Sequence, residues 1–281
     1  MDAAADLGSG KGHRDENFPV ASFLLKREHR APIISFYRFA RAADDIADHP
    51  TAPAADKLRQ LEAMRRGLDG NENGRIEALA LRTVMVERGL DPVHARELLN
   101  AFEQDVTVHR YATWDELIAY CRLSAMPVGR FVLDVHREDR RCWPASDALC
   151  AALQIINHLQ DCGKDYRVID RVYLPAETLS ATGARIDDLA APAATPALRA
   201  AIVALADRTL GLLRESAPFA GQIRDRRLAA EVAIIQRLAE SLTGRLRTRD
   251  PLGERVHHRP YEAAMLATAA VIGRTFARSA A

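Results

Sequence analysis

Three aspartates, Asp44, Asp45 and Asp48, occupy one predicted helical turn, and Arg41 lies one turn before them. Asp44 and Asp48 are four residues apart, so a helix places both on one face. Like charges at this spacing repel each other, and carboxylates at the C-terminal end of a helix also oppose its dipole. A divalent cation would remove both penalties, and clustered carboxylate oxygens suit Mg²⁺. This turn alone is equally compatible with a solvated helix end.

A second polar stripe favours the metal interpretation. Asn157, Asp161 and Asp165 follow one another at intervals of four, with Gln154 one turn earlier and apolar residues beside them. Two helices with such stripes would face each other across a pocket, and several Mg²⁺ between them would hold a diphosphate. The sequence therefore predicts a metal site that binds a phosphorylated substrate.

A diphosphate that leaves with the bonding electrons gains negative charge, which metals, arginines and a tyrosine can stabilise. Arg41 is one candidate for this role. The run Arg-Val-Tyr-Leu-Pro at 171–175 supplies two more, Arg171 and Tyr173. A surface position for Arg171 is equally consistent with the sequence.

An apolar pocket would have to hold the rest of such a substrate. Aromatic faces can stabilise a passing carbocation, although aromatic residues at helical spacing more often belong to the core. The available aromatic residues are Phe18, Phe36, Tyr37, Tyr120 and Phe131. No motif typical of nicotinamide, ATP, zinc-protease or serine-hydrolase sites is visible.

The elements that must position these residues are predicted to be helices throughout. On the predicted helix that carries the first acidic turn, the apolar positions Ile33, Ile34, Tyr37, Ala40 and Ala43 predict the buried face. Pro32 is predicted to open this helix, and His49-Pro50 to close it. The further predicted helices are about Ala55–Leu68, Ile76–Arg88, Pro92–His109, Leu117–His136, Pro144–Tyr166, Leu198–Glu215, Arg224–Leu246 and Tyr261–Ala277.

Two stretches interrupt this pattern. Ala125–Gly129 contains Pro127 and is predicted to kink its helix, with Gly129 allowing another group to approach closely. The segment Ser180–Pro196 is predicted to be the longest loop, either a lid or an irregular connection. No alternating strand pattern is visible, so the predicted fold class is all-α.

Composition limits the remaining possibilities. The 281 residues carry 39 basic and 38 acidic side chains, a net charge of +1, which gives no support for nucleic-acid binding. Four cysteines without metal-binding spacing favour reduced thiols and a cytoplasmic protein. Residues 1–14 are predicted to be a disordered tail and 15–281 a single domain, with no signal peptide and no membrane-spanning segment.

Three motifs together resemble the squalene/phytoene synthase family. They are Tyr37-x-Phe39-x-Arg41-x-x-Asp44-Asp45-x-x-Asp48, Gln154-x-x-Asn157-x-x-x-Asp161-x-x-x-Asp165 and Arg171-x-Tyr173-Leu174-Pro175. The likeness covers about Asn17 to Pro175 well and the later helices only by general pattern. Segments 17–22, 120–130 and 157–161 look most like its hopanoid-pathway branch of hydroxysqualene synthases.

The resemblance implies an isoprenoid-synthase fold with a central cavity and an Mg²⁺-bound prenyl diphosphate at its mouth. It implies that presqualene diphosphate ionises, rearranges and is quenched by water. The implied metal ligands, direct or through water, are Asp44, Asp48, Asn157, Asp161 and Asp165. The implied diphosphate contacts are Arg41, Gln154, Arg171 and Tyr173, and the implied cavity residues are Tyr120, Ala125 and Gly129.

Two positions depart from the pattern. Met126 replaces an asparagine common in this branch, and Gln160 replaces an arginine common in the family. Formation of presqualene diphosphate, squalene or phytoene from farnesyl diphosphate remains an alternative, as does a catalytically silent assembly protein. An elongating prenyltransferase or a terpene cyclase fits the run at 171–175 less well. Peripheral membrane contact and coupling to neighbouring squalene-pathway enzymes stay open.

Overall fold

The structure, a computed structural model, describes residues 26–259 and Glu262. The predicted N-terminal tail, Phe18 and nearly all of the predicted helix Tyr261–Ala277 lie outside the described residues. The chain divides into two compact units, Met1–Val108 and His109–Ala281. The predicted single domain over 15–281 stays a prediction.

Four helices form the described part of the first unit. They are α1 (Arg27–Ala47), α2 (Ala54–Leu68), α3 (Ile76–Arg88) and α4 (Val93–Thr107). α1 packs against α2, α3 and α4, and α2 packs against α3 and α4. Phe39, Leu61, Met64, Leu81 and Leu99 are fully buried between them.

The start of α1 differs from the prediction, because the helix begins at Arg27 and Pro32 lies inside it. A proline inside a helix leaves the carbonyl four residues earlier without its usual N–H donor. Here that carbonyl belongs to Glu28, and Arg88 Nη2 on α3 donates to it at 2.9 Å. This replacement hydrogen bond allows α1 to run through Pro32.

The second unit is built around one long helix. Its helices are α5 (Trp114–Ser124), α6 (Met126–Val135), α7 (Trp143–Ile169), α8 (Ala176–Thr182), α9 (Pro196–Ser216), α10 (Phe219–Gln222) and α11 (Arg226–Leu246). The 27-residue α7 packs against α5, α6, α9 and α11. At about 1.5 Å per residue it is roughly 40 Å long, so it can carry core and site residues together.

The two interruptions predicted from the sequence are both present. The predicted kink separates α5 from α6, since Ala125 between them has φ −118°, well away from the usual helical value of about −63°. The segment after α8 is held in place: its 3₁₀ turn at Ile186–Ala190 buries Leu189, and Asp250 Oδ2 accepts a hydrogen bond from the Ala194 N–H at 2.8 Å. These contacts favour an irregular packed connection over a lid.

Helices account for the regular structure between residues 26 and 259, and the one β-bridge there joins Arg110 to Val172 without forming a strand. The predicted all-α class is confirmed. Within the same range, none of the helices is long and apolar enough to cross a membrane.

Candidate functional site

The first acidic cluster lies on a half-buried face of α1. Tyr37, Arg41, Asp44 and Asp48 follow at intervals of four, three and four residues, so one helix face carries all of them, and all are half-buried. The predicted buried face was therefore partly wrong. The core side of α1 is turned toward Phe36 and Phe39, whose large rings bury more apolar surface than Tyr37 or Ala40 can.

Arg41 organises the acids beside it. Its Nη1 lies 3.0 Å from Asp44 Oδ2, and its Nη2 lies 2.9 Å from Asp45 Oδ1. One guanidinium thus pairs with two carboxylates on the same helical turn. This contact fixes Asp44 and Asp45 against each other.

Asp44 remains electrostatically costly in spite of this pairing. The pKa of Asp44 is raised from 3.8 to about 7, mainly by burial and then by the negative charge of Asp48, with Arg41 only partly opposing the two. Smaller contributions that also raise this pKa come from Asp45 and from Asp105 on α4. The first unit therefore concentrates negative charge where a cation would be stabilising.

The second polar stripe lies on α7 in the other unit. Gln154, Asn157, Asp161 and Asp165 are all half-buried, whereas Ile155, Ile156 and Leu159 between them are fully buried. The alternation separates a polar face from the core face of the same helix, as predicted. The five predicted metal ligands are thus divided, with two in the first unit and three in the second.

The end of α7 determines where Arg171 lies. Asp170 caps the helix in the left-handed region at φ 50° and ψ 41°, and the Arg171 N–H donates to the Asp165 carbonyl at 3.2 Å. Arg110 donates to both the carbonyl and the carboxylate of Asp170. The Val172 N–H then donates to the His109 carbonyl at 2.9 Å, which ties the following segment to the chain before α5.

Arg171 is buried, with 5% of its surface exposed, so the surface alternative for this residue is wrong. Its Nη1 donates to Tyr173 Oη at 3.2 Å. Tyr173 Oη lies 3.5 Å from Tyr120 Oη. The predicted residues Arg171, Tyr173 and Tyr120 therefore form one buried polar group.

Two residues without a predicted role complete this group. The Tyr111 ring lies 5.7 Å from the Tyr173 ring, and His158 stacks on Tyr173 with ring centroids 3.4 Å apart. Burial, and to a smaller extent the positive charge of Arg171, lower the pKa of His158 to about 3. The imidazole is neutral at physiological pH. His158 could have been noticed as a polar residue one turn from Gln154 and beside Asn157.

The residues around the kink between α5 and α6 include core residues and residues predicted to line a pocket. Tyr120 and Ala125 are buried, and Phe131, like Phe36 on α1, belongs to the core of its own unit. Gly129 allows α6 to approach α7, because a Cβ there would lie 2.5 Å from Ser146 Oγ and 2.6 Å from Cys150 Sγ. The close group predicted at Gly129 is thus a neighbouring helix, and its role in lining a cavity stays a prediction.

Gln160, which replaces an arginine common in the family, has a structural contact. Its side chain is buried, and Nε2 donates to the Val256 carbonyl. This bond anchors the segment after α11 against α7. The same segment brings His257 close enough to Asp161 for that carboxylate to affect its pKa, although burial dominates and lowers it.

The comparison with protein families identifies the chain. The family model described as squalene/phytoene synthase matches residues 12–262, which is most of the sequence. The chain belongs to the squalene/phytoene synthase family. The resemblance inferred from the three motifs is confirmed.

Curated relatives within this family match almost end to end. The hydroxysqualene synthase of Zymomonas mobilis is 54% identical over 97% of this chain and 93% of its own length. The hydroxysqualene synthase of Rhodopseudomonas palustris is 53% identical over 93% of this chain and 90% of its own. These relatives are enzymes, and the prediction that the chain is an enzyme is confirmed.

A solved structure supports the predicted isoprenoid-synthase architecture. The squalene synthase HpnC of Alicyclobacillus acidocaldarius is 32% identical and superimposes with a TM-score of 0.71 over 81% of this chain and 86% of that one. The predicted fold is therefore confirmed beyond its all-α class.

The raised pKa of Asp44 predicts a pH-dependent stability of the metal-free protein. The folded chain holds this proton more tightly than the unfolded chain, so the contribution of Asp44 to stability falls as pH rises from 3.8 to about 7. In EDTA, Asp44→Asn should gain Tm relative to wild type across this interval and keep the gain above it. Thermal unfolding followed by circular dichroism measures the difference.

Two comparisons control this experiment. At the acid end of the interval the carboxyl is protonated in both states, so the titration-dependent difference should disappear there. Added Mg²⁺ should raise the Tm of wild type more than that of Asp44→Asn. A Tm difference that does not change with pH would contradict the assignment.

Proposed function

We propose that this enzyme is a hydroxysqualene synthase, which converts presqualene diphosphate to hydroxysqualene. The observation that carries the proposal is the identity of more than half of all aligned residues with two proteins of that activity, over nearly their whole lengths. The predicted diphosphate contacts Arg171 and Tyr173 add support, because they form a buried hydrogen-bonded pair.

The residues of both acidic stripes fit Mg²⁺. Their donors are carboxylate and amide oxygens, which are hard ligands, and every one of these side chains is half-buried. The raised pKa of Asp44 shows that its negative charge is poorly compensated by the protein alone. From the sequence motifs we assign Asp44 and Asp48 in the first unit, and Asn157, Asp161 and Asp165 in the second, as metal-binding residues, directly or through water. Bound Mg²⁺ supplies Lewis acidity and neutralises charge on the leaving diphosphate.

Arginine and tyrosine side chains share the stabilisation of the leaving group. Arg41 is fixed by Asp44 and Asp45, and Arg171 is fixed by Tyr173, so neither guanidinium needs to reorganise when charge develops. Gln154 on α7 and Tyr37 on α1, both half-buried, are assigned to the substrate from the sequence motifs. Phe18 is assigned with them from the sequence motif alone.

The reaction begins when the carbon–oxygen bond to the diphosphate breaks and both electrons leave with the oxygen. The resulting cyclopropylcarbinyl cation rearranges, and the oxygen of one water forms a bond to the cationic carbon. The water proton passes to solvent or to the released diphosphate. The rings of Tyr120 and Tyr173, 5.5 Å apart at their centroids, offer aromatic faces to such a cation.

The kink between α5 and α6 supports a route for that water. Pro127 has no N–H, so the Leu123 carbonyl loses its usual helical donor. Within the described part of the chain, the buried Ser124 Oγ has no hydrogen-bond partner. Buried polar groups of this kind are where an ordered water is stabilised. Ser124 lies one helical turn after Tyr120 on α5. Met126, the first residue of α6, is buried.

The expected setting of the enzyme follows from the same chemistry. Its substrate is a prenyl diphosphate, and its product is a hydrocarbon alcohol with little solubility in water. We propose a cytoplasmic enzyme that meets the membrane peripherally and passes its product to neighbouring enzymes of squalene biosynthesis.

Loss of a single proposed metal ligand should abolish turnover. Asp48→Asn and Asp161→Asn each remove one anionic oxygen donor and should leave the helical circular dichroism spectrum intact. Asp207→Asn is the matched control, because Asp207 is an exposed acid paired with Arg247 at 2.7 Å. Full activity in either ligand variant, or in excess EDTA, would refute metal dependence.

Removal of the buried arginine should slow ionisation. Arg171→Ala should lower kcat/KM by about 10²–10³, as expected for the loss of a donor aimed at developing charge. Arg208→Ala serves as control, since Arg208 also contacts an aromatic ring, 4.3 Å from Trp114, and an acid, Glu177. Equal kcat/KM in wild type and Arg171→Ala would show that Arg171 is only structural.

The product decides between this function and the second candidate. The solved relative is described as a squalene synthase, so squalene formation, which needs a hydride donor, is the competing outcome. Purified enzyme with presqualene diphosphate and Mg²⁺ in ¹⁸O-water should give hydroxysqualene with one labelled oxygen, whether or not NADPH is present. Squalene formed only with NADPH would establish the competing function, and an unlabelled alcohol would mean that the oxygen came from the diphosphate.

A further inference from the structure

We propose that His158 is a positioning residue that aims the Tyr173 hydroxyl at the diphosphate. This inference rests on the proposed function, because it takes Tyr173 as a diphosphate contact. The imidazole lies on the Tyr173 ring with centroids 3.4 Å apart and planes 16° from parallel. Both side chains are more than nine-tenths buried.

The His158 ring is itself held at a second point. Gln154 Nε2 lies 3.0 Å from His158 Nε2, so the amide donates to the ring when this nitrogen is unprotonated. Gln154 lies one helical turn before His158 on α7 and belongs to the half-buried polar stripe. The contact links a proposed diphosphate residue on α7 to the ring that packs on Tyr173.

Further contacts fix the phenol in the same orientation. The Tyr111 ring is also within 16° of parallel to Tyr173. The Tyr173 Oη is 3.2 Å from Arg171 Nη1 and 3.5 Å from Tyr120 Oη. A tyrosine has only two side-chain torsions, and a change in the first would carry the hydroxyl several ångströms away. His158 blocks that rotation by occupying the face of the ring.

Such positioning matters because a hydrogen-bond donor is effective only where charge develops. A displacement of about 1 Å can cost roughly 10²-fold in rate. Without His158, Tyr173 would keep its hydroxyl but would lose the stacked ring that restricts its rotation. The expected defect is therefore in kcat, while substrate affinity, which depends on several other groups, changes little.

Two substitutions of His158 separate its ring from its hydrogen bond. His158→Ala removes both and should lower kcat by about 10–100-fold, with KM changed by less than about threefold. His158→Phe keeps a flat ring against Tyr173 and should recover most of the lost kcat. His94→Ala is the matched control, since His94 is also buried, lies in the first unit and contacts Glu97 at 3.3 Å.

A double-mutant cycle distinguishes positioning from simple packing. Tyr173→Phe keeps the stacked ring and removes only the hydroxyl, so any cost of His158→Ala to folding should persist in this background. Its effect on kcat should disappear there, because no hydroxyl is left to aim. An equal loss of kcat from His158→Ala in both backgrounds would overturn the proposal. A wild-type kcat for Tyr173→Phe alone would overturn it as well.

The double-mutant cycle tests the role of His158 even if the proposed substrate is wrong. In that case wild type forms no product from presqualene diphosphate, and the readout becomes diphosphate release from farnesyl diphosphate. The dissociation constant of inorganic diphosphate in the presence of Mg²⁺, measured by calorimetry, gives an independent control. Non-additive rates with either substrate support the role of His158, and additive rates with both refute it.

Discussion

The position of Arg171 depends on how α7 ends. A buried guanidinium is stable only when its backbone and side chain are both held, since burial of a charge is costly otherwise. α7 stops at Ile169 because Asp170 adopts a left-handed conformation, at φ 50°, which costs a non-glycine residue about 1–2 kcal/mol. The bonds from Arg110 to Asp170 offset this cost, and the chain reverses so that Arg171 and Tyr173 lie inside the unit.

In the first unit, the unfavourable electrostatic interaction is the clustering of acids at one end of α1. Its acids lie at the C-terminal end of α1, where the helix dipole already disfavours negative charge. Lys57 Nζ donates to the Ala47 carbonyl at 2.9 Å and so supplies positive charge at that end. Arg41 pairs with Asp44 and Asp45, yet Asp44 keeps a raised pKa. Protein cations keep the cluster folded without fully neutralising it.

Much of this arrangement could be predicted from local sequence. The α3 helix has the predicted bounds because Ile76–Arg88 is followed by Gly89 in the left-handed conformation, at φ 65°. The stripes on α1 and α7 follow from residue spacing alone. The start of α1 could not be predicted, since the bond that compensates for Pro32 comes from Arg88, far along the chain.

The burial of particular rings required the tertiary structure. Tyr37 and Phe36 are adjacent in sequence, and only packing against α3 and α4 decides which one enters the core. His158 looked like an ordinary polar residue because its stacking partner, Tyr173, follows beyond the end of the helix. Tyr111 reaches the same group through backbone hydrogen bonds between 109–112 and 172–177. Such contacts leave no periodic signal in the sequence.

The solvent exposure of the proposed site residues differs with their proposed roles. The carboxylates and amides proposed to meet a cation are half-buried in each unit, where they can be reached and yet are poorly hydrated. Arg171, Tyr173 and His158 are buried; Arg171 is hydrogen-bonded to Tyr173 and His158 stacks on the Tyr173 ring, which suits groups that must not move as charge develops. The raised pKa of Asp44 means that its negative charge costs folding stability, and a cation bound there would offset that cost. The buried group around Tyr173 contributes rigidity instead.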